Sequence, residues 1–207
     1  MRQIVTAADI PAAGELRVAP GAIITSTALD TAAARGVRIV EVPADQVSVL
    51  APPEKTVAIG ADHGGFRLKE ALKPVLSELG LEVRDVGVYE EKPADYPDLA
   101  LAVGELVASG AAARGIIIDG AGIGSSIAAN KIPGIRAALC YDKSSARNSR
   151  EHNDSNVLTL GARLLTESQA EEVLRTWIGT AFAGGRHQAR IDKITAIERR
   201  YAKKAPL

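Results

Sequence analysis

Residues 115–131 restrict the fold more than any other stretch, because they join an apolar run, an acid, a glycine turn and a helix start. Ile116 to Ile118 are β-branched and apolar on both faces, which is typical of a central strand in a parallel sheet. Asp119 follows at the carboxyl end of this strand, where open α/β sheets bind their ligands. The stretch therefore predicts a binding site on a parallel sheet.

Three glycines follow the acid, and they allow the backbone to bend sharply and to approach a ligand closely: Gly120, Gly122 and Gly124. Amide groups at the start of the following helix can hold an anion. A strand-to-helix turn of purely structural use fits the same residues. A dinucleotide-binding fingerprint fits less well, because its third glycine position falls on Ser125, although Asp142 lies at a suitable distance downstream.

Short apolar runs alternate with helical patterns from Thr56 onward. The predicted strands are Val57–Gly60, Leu81–Val86, the run around Ile116–Ile118, a run beginning at Ile135, and Asn156–Leu160. Five strands separated by helices predict an α/β fold with a five-stranded parallel sheet, covered on both faces and joined by right-handed crossovers.

Composition excludes several classes of protein. The 207 residues carry a formal net charge of zero and dispersed basic residues, which disfavours a nucleic-acid partner. No apolar run approaches the length of a membrane helix, and the N-terminus lacks a secretory pattern, so we expect a soluble cytoplasmic protein. The single Cys140 excludes an intrachain disulfide and a cysteine-built metal site.

Residues 1–50 form a predicted accessory unit with a turn at Pro20-Gly21, a helix over Leu29 to Arg35 and a strand over Val37 to Val42. So short a segment is not expected to bury a core of its own. Residues 51–55 contain Pro52-Pro53 and are predicted to be a stiff linker into a main domain over residues 56–207.

Polar groups that could form a site follow several predicted strands and helices. Asp62-His63 follows the first strand of the main domain, and Arg150-Glu-His-Asn153 ends a polar helix. Arg186 and Arg190 are four residues apart, so at a helix start they could share one face and clamp a phosphate. Each feature also has an ordinary structural explanation, but together they favour a site.

Seven ordered motifs make the chain resemble the ribose-5-phosphate isomerase B family, which includes the galactose-6-phosphate isomerase subunits. The motifs lie within residues 56–201 and are Gly60-Ala-Asp-His-Gly-Gly-Phe, Asp95-Tyr-Pro, Gly122-Ile-Gly-Ser-Ser-Ile-Ala-Ala-Asn-Lys, Gly134-Ile-Arg-Ala-Ala-Leu, Arg150-Glu-His-Asn, Leu160-Gly-Ala-Arg and Gly185-Arg-His-Gln-Ala-Arg-Ile-Asp. The resemblance implies a Rossmann-like three-layer fold and a homodimer or tetramer with active sites across the dimer interface. It also implies a phosphorylated sugar as substrate and neither a metal nor another cofactor.

The resemblance also implies roles for individual residues. His152 matches the group that assists opening of the sugar ring, with Asn153 beside it. The other matched positions bind the sugar or its phosphate: Asp62 and Tyr96 around the sugar, His63, Arg186 and Arg190 at the phosphate, Arg163 in the motif Leu160-Gly-Ala-Arg, and Gly120, Gly122, Gly124 and Ser125 in the pocket for the enediolate oxygen. Preorganised donors of this kind are typically the largest electrostatic contribution to catalysis.

The chain departs from the family pattern at the base. Many members carry a cysteine where this chain has Asp119, a Thr or Ser where it has Ala121, and one branch has a glutamate where it has Ser125. Asp119 could serve as the base if its burial raised its pKa. The chain is therefore predicted to be an aldose-ketose isomerase that works through a cis-enediolate. A non-catalytic sugar-phosphate-binding or scaffold protein is the alternative.

The N-terminal unit has a second, smaller resemblance. Its pattern from Ile24 to Ile39 is similar to short N-terminal segments of some proteins that are encoded with bacterial microcompartments. This resemblance implies a microcompartment shell or cargo protein as a partner, and a location within such a compartment. A short accessory piece with no targeting role fits the same residues.

Overall fold

The computed structural model describes residues 4–5, 9–10, 15–43 and 55–202 of the chain. The chain divides into two compact units, of which the first contains residues up to Pro53 and the second contains most of the chain from Glu54 onward. The predicted Pro52-Pro53 linker lies outside the described residues.

The first unit contains two small parallel pairs of strands and one helix. β1 (Ile4–Val5) pairs with β3 (Ile23–Ile24), and β2 (Glu15–Val18) pairs with β4 (Arg38–Glu41). Helix α1 (Ser26–Arg35) lies between β3 and β4 in the chain. The Thr25 hydroxyl caps α1 by accepting from Ala28 N at 3.2 Å, and Gly36 ends it at φ 64°.

Seven buried apolar side chains form a cluster in this unit: Val5, Ile10, Leu16, Val18, Ala28, Ala32 and Val37. The expectation that so short a segment buries no core of its own is therefore wrong. The strand pairs bring apolar side chains from distant points of the chain together, as where Leu16 pairs with Ile39.

The second unit is built on a five-stranded, all-parallel sheet in the order β6-β5-β7-β9-β8, which confirms the predicted α/β fold. The strands are β5 (Thr56–Ala61), β6 (Glu82–Asp85), β7 (Arg114–Asp119), β8 (Ala137–Leu139) and β9 (Val157–Gly161). The helices are α2 (Phe66–Glu78), α3 (Tyr96–Ala108), α4 (Ile123–Ala129), α5 (Lys143–Asn153), α6 (Glu167–Gly179) and α7 (Gln188–Ala202). A single 3₁₀ turn, Gly185–His187, precedes α7.

Alternate residues of the central strand face the two helical layers. Ile116 and Ile118 belong to the core cluster that contains Leu72 of α2 and Leu174 of α6. Gly115 lies against Val103 of α3, where an added Cβ would come within 2.6 Å of a methyl group. β7 can be apolar on both faces because helices cover each of them.

Two helix starts position predicted site residues. Tyr96 lies in the first turn of α3. The last helix begins at Gln188, so Arg190 lies in its first turn and Arg186 in the preceding 3₁₀ turn. Within the described residues, no helix is long and apolar enough to cross a membrane.

Candidate active site

The carboxylate of Asp119 binds the loop that follows it. Oδ1 accepts hydrogen bonds from Ala121 N at 2.7 Å and from Gly122 N, and Oδ2 accepts from Ser125 N at 3.0 Å and from the Ser125 hydroxyl. The side chain is 5% exposed. Each oxygen thus has two donors, so the carboxylate holds the glycine turn and the start of α4 in place.

This binding reverses the expected shift in acidity. Burial by itself raises the pKa of Asp119, but the hydrogen bonds from Ser125, Gly122 and Ala121 stabilise the charged form and outweigh burial. The pKa therefore lies below its ordinary value, whereas the sequence prediction required a raised one. The condition under which Asp119 could act as the base is therefore not met in this structure, because the donors outweigh burial.

The same hydrogen bonds change the predicted anion pocket. The amides of Ala121, Gly122 and Ser125 point at the Asp119 carboxylate, which is a negative group within the chain itself. Gly122 has φ 75°, and a Cβ there would lie 2.5 Å from a methyl carbon of Leu139. The turn therefore requires glycine at this position, but the amides of the turn already donate hydrogen bonds to Asp119.

Three predicted sugar-binding residues lie around this turn. Asp62, at the end of β5, accepts from Gly65 N at 2.9 Å through Oδ1. Arg163 lies over Gly120, where its Nε would be 3.5 Å from an added Cβ, and Tyr96 lies over Gly124, where its ring would be 2.6 Å from one. We call the Asp119 turn with Asp62, Tyr96 and Arg163 the turn cluster.

His63 lies next to Asp62 at the same edge of the sheet. Its side chain is exposed, and its Nδ1 lies 3.5 Å from the amide of Ala94, which donates to it. This contact places the His63 imidazole against the loop between β6 and α3, next to the start of the predicted Asp95-Tyr-Pro motif.

A second group of site residues lies at the end of α5. The rings of His152 and His187 are stacked, with centroids 4.2 Å apart and planes inclined by 9°. The Asn148 amide lies 2.9 Å from His152 Nδ1, and the backbone of Ala183 donates to Glu151 O at 3.0 Å. We call His152, Asn153 and His187 with Arg186 and Arg190 the histidine cluster.

The arginines of this cluster are exposed. Arg186 lies in the 3₁₀ turn that leads directly into α7, and Arg190 lies in the first turn of α7, so the shared phosphate clamp stays a prediction. Both arginines lie close enough to His187 for their charges to lower its pKa. Asn153 ends α5, and its Nδ2 donates to Asn148 O at 3.4 Å.

Sequence reasoning did not assign His187 a role. The residue lies within the motif that supplied Arg186 and Arg190, but its position gave no sign that it would be buried against His152. Only the packing of the 3₁₀ turn on α5 brings the two rings together.

Within one chain, the turn cluster lies at the carboxyl end of the parallel strands and the histidine cluster lies at their amino end. Asp119 pairs with Gly161 at the carboxyl end of β9, whereas His152 and Asn153 precede Val157 at its amino end. Four steps of a strand span roughly 13 Å. Asp119 and His152 of the same chain are therefore too far apart to act on one small sugar.

Two further sequence predictions concern metals and cysteine chemistry. Within the described residues, no group of three or more His, Cys, Asp or Glu side chains could hold a metal ion. Cys140 is buried, and this burial raises the pKa of its thiol above the ordinary value.

Comparisons with known proteins agree on one family. The sequence model of a family described as Ribose/Galactose Isomerase matches residues 57–194. The chain is 47% identical over 146 residues to ribose-5-phosphate isomerase B of Escherichia coli strain K12, covering 70% of this chain and 98% of that protein. It is 38% identical over 146 residues to D-erythrulose-4-phosphate isomerase of Pectobacterium atrosepticum, covering 69% and 95%.

A solved structure gives the same result. Ribose-5-phosphate isomerase B of Clostridium thermocellum superposes with a TM-score of 0.70 at 49% identity, covering 70% of this chain and 99% of that one. The family match over residues 57–194 begins after residues 1–53 and includes both clusters.

Proposed function

The chain belongs to the ribose/galactose isomerase family, and on that premise we propose that it interconverts an aldose phosphate and a ketose phosphate through a cis-enediolate. The observation that carries this proposal is the match over residues 57–194, which contains every residue of the turn and histidine clusters. The comparisons favour this enzyme over the non-catalytic scaffold.

The sugar is proposed to have four or five carbons. Relatives that share 38% and 47% of their residues with this chain are named for a four-carbon and a five-carbon phosphosugar. Ribose 5-phosphate with ribulose 5-phosphate is our first choice of substrate pair, because the solved structure at 49% identity is named for the same reaction.

The phosphate is proposed to bind Arg186 and Arg190 of the histidine cluster, together with Arg163 and His63 of the turn side. Guanidinium groups suit phosphate because they offer several donors in a rigid plane. All four side chains are exposed, as groups that must reach a ligand should be. His152, with Asn153 beside it, is proposed to move the protons that open the sugar ring.

The base at the C2 hydrogen has two candidates. Asp119 as base stays a prediction, but its two oxygens already accept four hydrogen bonds, and this supports a role as anchor of the turn. Asp62 is the second candidate. Among the described residues, its Oδ1 accepts from Gly65 N and its Oδ2 has no hydrogen-bond partner, so one basic oxygen is available at the same edge of the sheet.

Two matched variants distinguish these candidates. General-base catalysis contributes about 10² to 10⁴ in rate, so the variant that lacks the base should lose exchange of the C2 hydrogen by that factor while it still binds phosphosugar. Asp62→Asn with this behaviour supports Asp62. If Asp62→Asn exchanges normally, and Asp119→Asn folds and binds phosphosugar but does not exchange, the sequence prediction of Asp119 is supported.

We further propose a homodimer in which the histidine cluster of one chain completes the turn cluster of its partner. The separation of the clusters by the height of the sheet supports this. So do the exposed apolar side chains on α4 and α7: Ile123, Ile127, Ile194, Ile197 and Tyr201, which are 47–61% exposed. A groove of about 620 Å³ beside α7 is lined in part by Ile194, Ile197 and Tyr201 and also reaches Asn153.

The decisive experiment is a proton-exchange assay on four- to six-carbon aldose phosphates in heavy water. We expect the wild-type chain to exchange the C2 hydrogen of ribose 5-phosphate and to form the ketose. Calorimetric binding of a phosphosugar without exchange on any member of the panel would instead support the scaffold.

For the first unit we propose a docking role outside the chemistry, with a microcompartment protein as the partner. The unit lies outside the family match, and its sequence carries the resemblance to microcompartment-associated segments. A fusion of residues 1–50 to a fluorescent protein should then collect in compartments of a host that makes them. Diffuse fluorescence in that host would reject the idea.

A further inference from the structure

His187 forms a flat surface against His152. The two imidazoles are nearly parallel, at a centroid distance of 4.2 Å, and His187 itself is 7% exposed. A ring in close parallel contact limits rotation of its neighbour about χ2, which is otherwise a broad torsion. The orientation of the His152 imidazole is therefore restricted from one face.

Packing rather than hydrogen bonding at Nδ1 holds the His187 ring. Its Nδ1 is buried and has no hydrogen-bond partner in the part of the chain that the structure describes. A buried polar nitrogen without a partner is unfavourable for stability. A flat apolar ring at this position should therefore pack against His152 at least as well.

The charges around His187 favour its uncharged form. The groups that face it are His152 and Glu151 on α5, Arg186 beside it in the 3₁₀ turn, and Arg190 on α7. Burial lowers the pKa of His187, positive charge on His152, Arg186 and Arg190 lowers it further, and only Glu151 opposes them. Stacking then proceeds without repulsion between two cations.

On the premise of the proposed isomerase, we propose that His187 is a positioning residue whose ring holds the His152 imidazole in the orientation that opens the sugar ring. It takes no part in removal of the C2 hydrogen. His152 performs the proton transfers, and His187 acts only through the contact between the two rings.

The chemistry of the two substrates separates these roles. In the closed aldopentose 5-phosphate, the O1 proton leaves, the C1–O4 bond breaks as C1=O1 forms, and O4 takes up a proton. The ketopentose 5-phosphate is open, because its O5 is esterified and cannot close a five-membered ring on C2. Exchange of the C1 hydrogen of the ketose with solvent therefore needs enediolate formation but no ring opening.

The test compares His187→Ala, His187→Leu and His187→Phe with the wild-type chain in both assays. Alanine and leucine remove the flat ring, and we expect turnover of the aldose to fall by about tenfold or more, since small misplacements of catalytic groups cost up to about 10² in rate. Phenylalanine keeps a flat ring, so aldose turnover should stay within about threefold. Exchange of the ketose C1 hydrogen should stay within about twofold in all three variants, and it reports on folding at the same time.

Each other result contradicts the inference. Equal losses of both activities in the alanine and leucine variants would make His187 a purely structural residue. Unchanged aldose turnover in those variants, or a phenylalanine variant as slow as the alanine one, would remove the positioning role of the ring. A wild-type chain without either activity would instead reject the proposed isomerase function.

Discussion

The turn cluster and the histidine cluster are organised in opposite ways. Backbone amides and the buried Asp119 carboxylate fix the turn cluster before any ligand binds. The histidine cluster consists of side chains at the ends of helices, and its arginines are exposed. The comparison teaches that one chain can hold one group of site residues through buried hydrogen bonds and present another group through exposed side chains; in the proposed dimer the two groups meet across the interface.

The largest effect should come from variants that inactivate one cluster each. Asp62→Asn and His152→Ala should each lose about 10² or more in turnover when refolded alone. A refolded equal mixture should regain up to about a quarter of the wild-type activity, because half of the dimers are mixed and each mixed dimer has one intact site. If mixing restores nothing, the clusters do not complete each other across a dimer.

The arginines of the histidine cluster should act mainly on binding. Arg186→Ala and Arg190→Ala should each raise KM for the phosphosugar by about tenfold or more, because each removes charge-assisted hydrogen bonds to phosphate. Arg199→Ala is the matched control, since Arg199 is an exposed arginine in the last turn of the same helix. Steady-state kinetics at constant ionic strength measures the difference, and equal effects at all three positions would argue against a specific phosphate site.

The anchor of the turn cluster should contribute to stability in a pH-dependent way. Asp119→Asn should lower the free energy of unfolding at pH 7 by roughly 2–3 kcal/mol, because hydrogen bonds to a charged group are lost. The folded-state pKa of Asp119 is lowered, so this contribution is present above the unfolded-state pKa and is lost as the pH falls through the folded-state value. Urea unfolding at pH 7 and pH 3 should show the gap between wild type and variant becoming smaller in acid. A gap that grows in acid would contradict the anchor.

The smallest effect should come from removal of the first unit. A chain that begins near Glu54 keeps both clusters, so its turnover should stay within about twofold of that of the full chain. Its oligomeric state should be unchanged. Kinetics and light scattering on the truncated chain measure both. Loss of assembly would show that the first unit takes part in the oligomer.

Sequence reasoning was accurate wherever a pattern repeats along the chain. The five strands and their parallel arrangement follow from apolar runs separated by helical periods, and the ordered motifs identify the family. The local turn pattern also marked Gly122, and the structure supplies the reason for glycine there, since its positive φ and its contacts with Leu139 and Leu160 permit no side chain.

The errors arose where the environment of a single group mattered. Asp119 as base required a raised pKa, and this condition failed because burial can be read from an apolar run but four converging donors cannot. The small core of the first unit was missed, because its members are dispersed between Val5 and Val37.

The sequence by itself determined the family, the parallel sheet and the residue types of the site, because these depend on local periodicity and on ordered motifs. Only the tertiary structure decided that Asp119 binds its own turn, that His187 stacks on His152, and that the two clusters lie at opposite ends of the parallel strands. The physical reason is that the ring contact and the separation of the clusters are relations between residues far apart in the chain. The Asp119 hydrogen bonds are local, but they depend on the direction in which each amide of the turn points, which apolar periodicity does not encode.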